Sequence, residues 1–169
     1  LNSNFIIVVN DNQMSIAENH GGLYQGLEQL RQSNGMCENN MFKAMGLDYI
    51  YVDKGNDIDA LIKAFKQVKD IDHPIVVHIN TLKGKGYALA EEDKETWHWS
   101  APFDIETGNL TYNSDAEDYD DLTALHLLEN IKQDKKVCAI TAGTPGVWGW
   151  TPERRQMAGA GFIDVGIAE

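Results

Sequence analysis

Four stretches of this chain carry side chains whose types and spacing could do chemistry. Asp164-Val-Gly-Ile-Ala-Glu169 is an apolar run with the look of a buried strand, and it ends on a carboxylate. Burial penalises the charged form of a carboxyl group and raises its pKa, so a proton-sharing Glu169 could hydrogen-bond a heterocyclic nitrogen. Asn10-Asp-Asn-Gln-Met-Ser-Ile16 follows another apolar run. In an open parallel sheet, ligands bind where strands end. Asn12 offers a neutral side-chain oxygen and the loop after it offers backbone carbonyls, which suit Mg²⁺, an ion that takes oxygen ligands alongside a substrate's phosphates. The same string is also an ordinary polar turn, since Asn and Asp are common in turns.

Thr81-Leu-Lys83-Gly-Lys-Gly86-Tyr87 combines glycines, which let the backbone approach a ligand, with lysines that can neutralise phosphate. It is neither a P-loop nor a dinucleotide fingerprint, and a plain strand-exit turn explains it equally well. Trp97-His98-Trp99 sets a histidine between two indoles, where a partly dry pocket would move its pKa. A lone histidine is also an ordinary surface or packing residue. His20, His73, His78 and His126 have no comparable context, and His78, inside a strand, reads as structural.

These residues need elements to hold them. Phe5 to Val9 reads as a buried strand that runs into the polar Asn10 loop. Glu18 to Arg31 starts as a loop, at Gly21-Gly22, and continues as a short helix through Leu23, Leu27 and Leu30. Asn39 to Met45 reads as a helix stopped by Gly46. Asp48 to Val52 is a second strand. Ile58, Leu61, Ile62, Phe65 and Val68 mark a helix that Asn56 or Asp57 can cap. Pro74 then opens a third strand, Ile75 to Ile79. Strand, helix and strand at this spacing predict a βαβ unit and a parallel sheet. Residues 82–115 hold no sustained periodicity and read as a long functional loop or linker. Ser114-Asp-Ala-Glu117 has the form of a capping box leading a helix with Tyr119, Leu122, Leu125, Leu128 and Ile131 on one side. Strands at Val137–Ile140 and Phe162–Ile167, with a short helix at Pro152–Met157 between them, form a second, unfinished set. Neither half reads as a complete doubly wound domain, which commonly has about five or six strands. The missing strands are expected from elsewhere, and Leu1 reads as a chain entered partway through.

The formal net charge of −12, from 26 acidic and 14 basic residues, argues against general affinity for nucleic acid or anionic membrane. It leaves room for a local basic pocket. The 43% hydrophobic content supports a globular core. Cys37 and Cys138 are the only cysteines and read as buried thiols in a reducing cytosol. No apolar run approaches the length of a membrane span.

Taken together, the strings at Asn10–Ile16, Pro74–Asp104 and Asp164–Glu169 resemble the thiamine-diphosphate enzymes related to transketolase, in particular the 1-deoxy-D-xylulose-5-phosphate synthase branch. The resemblance runs from Asn4 to Glu169. It implies an α/β, thiamine-diphosphate-binding fold in two incomplete parallel-sheet domains joined by a linker. Residues 1–81 would be the C-terminal part of the diphosphate-binding domain. Residues 82–113 would be the linker and active-site loop, and 114–169 the start of the pyrimidine-binding domain.

By the same resemblance, Asn12 gives its side-chain oxygen and Met14 its backbone carbonyl to Mg²⁺. Lys83 and Tyr87 lie beside the cofactor. His98 keeps the family's spacing of eleven residues from Tyr87 and takes an accessory part with diphosphate or substrate. Glu169 hydrogen-bonds N1′ of the aminopyrimidine and favours its imino tautomer. The family's Gly-Asp-Gly, which carries the other metal ligand, is absent and is expected upstream of Leu1. The implied protein is a cytoplasmic homodimer acting on a 2-keto acid and a sugar phosphate. Two features depart from the branch: Asn56 stands where it often has histidine, and Ser33–Asn40 is shorter than its usual insertion. Ketol transfer between sugar phosphates is therefore a second expectation, and a non-catalytic fragment or one subunit of a split enzyme is a third.

Overall fold

A computed structural model describes residues 3–112 and 118–167. The chain divides into two units, one of Leu1–Met14 with His20–Gly86 and one of Ser15–Asn19 with Tyr87–Glu169.

The first unit is built on a three-stranded parallel sheet in the order β1-β3-β2, where β1 is Ile6–Asp11, β2 is Asp48–Val52 and β3 is Ile75–Asn80. The apolar run of β3 lies in the centre, and Ile75 to Ile79 are buried on both faces. That is the behaviour of a strand in a covered parallel sheet. Helix α3, Ile58–Val68, packs Ala64 and Val68 against Val52, Ile75, Val77 and Ile79. Its cap is Asp57, whose carboxylate accepts the N–H groups of Asp59 and Ala60. Helix α1, Gly22–Gln32, buries Leu27 and Leu30, and the short α2, Met41–Ala44, is capped by the buried Asn40. Between them Gly35 has φ +77°, and a Cβ there would meet Cβ of Tyr51 at 2.6 Å. Both the left-handed backbone and the close approach require glycine.

The second unit has less sheet and more helix. Its sheet pairs β4, Ala139–Thr141, with β5, Phe162–Asp164, in parallel. Helix α5, Tyr119–Gln133, packs Ala124, Leu128 and Ile131 with Ala139, Trp150 and Ala158, the last from helix α6, Pro152–Ala158. The expected stripe from Tyr119 through Leu122 and Leu125 is corrected: those three are exposed. Each three-residue step turns a helix by about 300°, so residues spaced by three drift off one face. The expected capping box at 114–117 lies outside the described residues, and Asp118 caps α5 by accepting the N–H of Asp120.

The span 82–115 holds more structure than expected. It contains helix α4, Ala88–Glu92, a 3-10 turn at Thr96–His98 and an antiparallel bridge between Phe103 and Leu110. The last strand ends at Asp164 rather than Ile167: the Val165 N–H still donates to the Thr141 carbonyl, and Gly166, at φ 71°, donates its N–H to Asp164 Oδ1. Cys138 is exposed and Cys37 half-buried, which corrects the reading of both as buried thiols. Among the described residues no helix is long and apolar enough to cross a membrane.

Candidate functional site

In the first unit the loops leaving the three strands are knitted together at one end of the sheet. The N–H of Thr81 donates to the Asp11 carbonyl at 3.0 Å, and that of Gly55 to the Asn80 carbonyl at 2.8 Å. Thr81 Oγ1 donates to Asn10 Oδ1 at 2.7 Å, and the N–H of Leu82 donates to Asn56 Oδ1 at 2.7 Å. Asn56 thus has a definite task, holding the β2 exit loop to the β3 exit loop. An open cleft of about 600 Å³ lies among these loops, with Gln13, Lys54, Asn56, Thr81 and Lys85 in its lining.

The turn after β1 contains the two expected metal ligands. Asn12 Oδ1 accepts the N–H of Met14 at 3.0 Å, and Asp11 Oδ1 accepts the N–H of Gln13 at 3.1 Å. Two consecutive side-chain-to-backbone turns of this kind force Gln13 into the left-handed region, at φ 69°. A carbonyl oxygen has two lone pairs, so Asn12 Oδ1 keeps one for a cation while holding Met14. Lys83 sits half-buried in the β3 exit loop of the same unit.

Behind that turn lies a polar chain. His78 is fully buried in β3; its Nε2 is 2.9 Å from Asp11 Oδ2 and its Nδ1 is 2.7 Å from the Tyr49 hydroxyl. Arg31 of α1 forms an ion pair with the same Asp11 oxygen. A carboxylate only accepts, so Nε2 of His78 carries a proton, and in the neutral ring Nδ1 then accepts from Tyr49. Burial by itself would raise the Asp11 carboxyl, but the hydrogen bonds from His78 and Arg31 and the charge of Arg31 outweigh it and hold it below the usual range. Burial pushes the Tyr49 phenol up, so it stays protonated as a donor. Asp11, Arg31 and Tyr49 were not singled out from sequence. The available signal was His78 itself, since a histidine inside a fully apolar strand must find hydrogen-bond partners.

The second unit contains Tyr87 and His98. Tyr87 stands edge-on to Trp97 with ring centroids 5.0 Å apart, and Trp97 meets Phe103 in the same manner at 4.6 Å. Among the described residues the Tyr87 hydroxyl, which is buried, has no hydrogen-bond partner. His98 is exposed, and so is Trp99. Trp97 turns into the aromatic cluster instead of flanking the histidine, so the described residues of this unit do not form the expected dry pocket around His98. Near the chain's end, Asp164 Oδ1 accepts the N–H groups of Gly143 and Gly166 at 2.8 and 2.9 Å. Glu169 lies outside the described residues.

Comparison with known proteins places this geometry. A family profile described as 1-deoxy-D-xylulose-5-phosphate synthase matches residues 1–39 and 31–81. The two matches meet at the α1–α2 connection, where the sequence is short. A 1-deoxy-D-xylulose-5-phosphate synthase of Geobacter sulfurreducens is 33% identical over 206 residues, covering 100% of this chain and 32% of the relative. One from Clostridium beijerinckii is 34% identical over 199 residues, covering 97% and 32%. One from Listeria monocytogenes is 32% identical over 177 residues, covering 100% and 29%. The chain therefore spans about a third of the length of the curated relatives it matches. Matched from end to end by synthases and built of parallel α/β units with a polar turn at a strand end, the chain belongs to the 1-deoxy-D-xylulose-5-phosphate synthase family.

Proposed function

We propose that this chain is part of a synthase that joins pyruvate to glyceraldehyde 3-phosphate, giving 1-deoxy-D-xylulose 5-phosphate and CO₂. The observation that carries the reading is the end-to-end similarity to synthases of that name. Thiamine diphosphate would supply the electron sink that makes decarboxylation and carbon–carbon bond formation feasible. This chain's residues would bind and orient it. Asn12, through its spare lone pair, and Met14, through its backbone carbonyl, would ligate Mg²⁺. The family's Gly-Asp-Gly does not occur in these 169 residues, so a further protein ligand would come from another segment.

Lys83 would neutralise phosphate charge. The buried, unbonded hydroxyl of Tyr87 is the kind of group that a ligand would satisfy. His98 would assist at the diphosphate or the substrate, and Glu169 would share its proton with the aminopyrimidine nitrogen. In this reading residues 1–81 end a diphosphate-binding domain, 82–113 link, and 114–169 begin a pyrimidine-binding domain. The working protein is a cytoplasmic homodimer.

The decisive experiment follows CO₂ from labelled pyruvate in the full-length protein. Release that depends on glyceraldehyde 3-phosphate supports the synthase. Ketose turnover without CO₂ would identify a transketolase instead, the reading that the absence of the branch's usual histidine at Asn56 favours. A second reading, that the chain alone is a non-catalytic piece, is favoured by its covering about a third of its relatives. It predicts negligible thiamine diphosphate binding in a titration with Mg²⁺, and saturable micromolar binding by the isolated chain would defeat it.

A further inference from the structure

The geometry points to Asp11 as the positioning residue for the metal-binding turn, with His78 and Tyr49 as its fixed mounting and Arg31 as its counter-charge. The inference rests on the proposed role of Asn12 and Met14 and deepens it. Three donors converge on one carboxylate: the N–H of Gln13 on Oδ1, and His78 Nε2 and Arg31 on Oδ2. The donors come from three places, namely the turn itself, the central strand and the last turn of α1. His78 is fixed in turn by Tyr49 of β2. The carboxylate is thereby held on one oxygen by the sheet and α1, while its other oxygen holds Gln13 at φ 69°. That left-handed residue lies between the two proposed ligands, and it sets how the Asn12 side chain and the Met14 carbonyl are presented. A buried polar network with every member paired has a single arrangement, which is what a metal site requires of the groups behind its ligands.

A buried charge pair that serves only stability would predict something different. It would need the charges of Asp11 and Arg31, not the acceptor that Asp11 presents to Gln13. Two double variants separate these roles. Asp11→Asn with Arg31→Met removes both charges but leaves an amide oxygen to accept from Gln13, and its NH₂ can donate to the other tautomer of His78. Asp11→Ala with Arg31→Met removes both charges and the acceptor.

The measurement is Mg²⁺-dependent thiamine diphosphate binding to the full-length protein by isothermal titration, without substrate. For the alanine double variant, the half-saturating Mg²⁺ concentration should rise about 10- to 100-fold. The asparagine double variant should stay close to wild type. Equal shifts in the two, or no shift in either, overturn the inference and leave the functional reading intact. Wild-type protein without Mg²⁺-dependent binding overturns the functional reading, and the inference falls with it. Should either double variant fail to fold, Gln13→Pro decides. Gln13 is exposed, and proline there removes the N–H and fixes φ near −65°. A rise of about tenfold or more supports the inference, and a wild-type value overturns it.

Discussion

The two units solve the problem of supporting a strand end differently. In the first, β3 is covered on both faces and its neighbours are paired to it along their whole length. In the second, β4 and β5 are three residues each, and the paired Ile140 and Ile163 are 66% and 42% exposed. Order there comes from the packing of Trp150 between α5, α6 and the sheet. Buried polar groups do not divide in the same way. The His78 network of the first unit is satisfied, although Asn40 Nδ2 of that unit, like the hydroxyl of Tyr87 and one carboxylate oxygen of Asp164 in the second, is buried without a partner among the described residues. A strand in the middle of a sheet can thus hold a charged turn rigidly. A two-stranded ribbon is marginal on its own and leans on helices.

The sharpest test of this contrast is Trp150→Ala. Removing a buried indole should cost about 3–5 kcal/mol. Hydrogen exchange should lose protection in α5 and β4 and keep it in β3. Loss in β3 to the same extent would mean that the units do not differ in what supports them. Next come Val77→Ala and Ile140→Ala. The first empties a fully buried site and should cost about 2 kcal/mol, while the second touches a largely exposed side chain and should cost about 0.5 kcal/mol or less. Equal costs in chemical denaturation would contradict the exposed face of β4.

Tyr49→Phe and Tyr87→Phe refine the comparison of polar groups. Tyr49→Phe leaves a ring nitrogen of buried His78 without its donor and should cost about 1 kcal/mol or more. Tyr87→Phe removes a hydroxyl that bonds to nothing in the described structure and should leave the thermal midpoint almost unchanged. If the proposed function holds, it should weaken thiamine diphosphate binding instead.

The smallest effects are pH-dependent, and two exposed groups, His73 and Asp104, give them opposite signs. Hydrogen bonds donated to Asp72 and Asp48 raise the pKa of His73, so its contribution is present below the usual value of about 6.5 and fades as pH rises through the folded value. Hydrogen bonds from Thr107, then from the Glu106 N–H, lower the pKa of Asp104. Its contribution is present above about 3.9 and fades as pH falls through the folded value. Both groups are exposed, so salt should weaken the His73 effect. His73→Gln should flatten the profile above about pH 6.5, and Asp104→Ala should flatten the acid limb. An unchanged profile in either variant would remove that group from the account.

Much of the first unit was legible in the residues. Asp48–Val52 and Ile75–Ile79 lie at or within a residue of the observed strands, and Phe5–Val9 begins one residue early and stops two short of Asp11, because continuous β-branched runs bounded by polar turns have few other uses. Ile58–Val68 coincides with α3, where the periodicity is strong and Asp57 caps it. The second unit was harder to read. The stripe drawn through Leu122 and Leu125 used the right helix and the wrong face, since apolar residues lie all round α5 and only its neighbours select the buried side. Trp97 and Trp99 are indistinguishable by type, yet one joins Tyr87 and Phe103 and the other is exposed.

Local order and chemistry belong to the sequence: which runs become strands, where helices are capped, and that oxygen donors follow β1 while glycines and lysines follow β3. Those outcomes depend on neighbours a few residues away. What surrounds His78 belongs to the tertiary structure. Its partners Tyr49 and Asp11 are 29 and 67 residues distant in the chain, and Arg31, which pairs with the same Asp11, is 47 residues away. They meet because β3 takes the place between β1 and β2, and the left-handed turn at Gln13 is held by the carboxylate they fix.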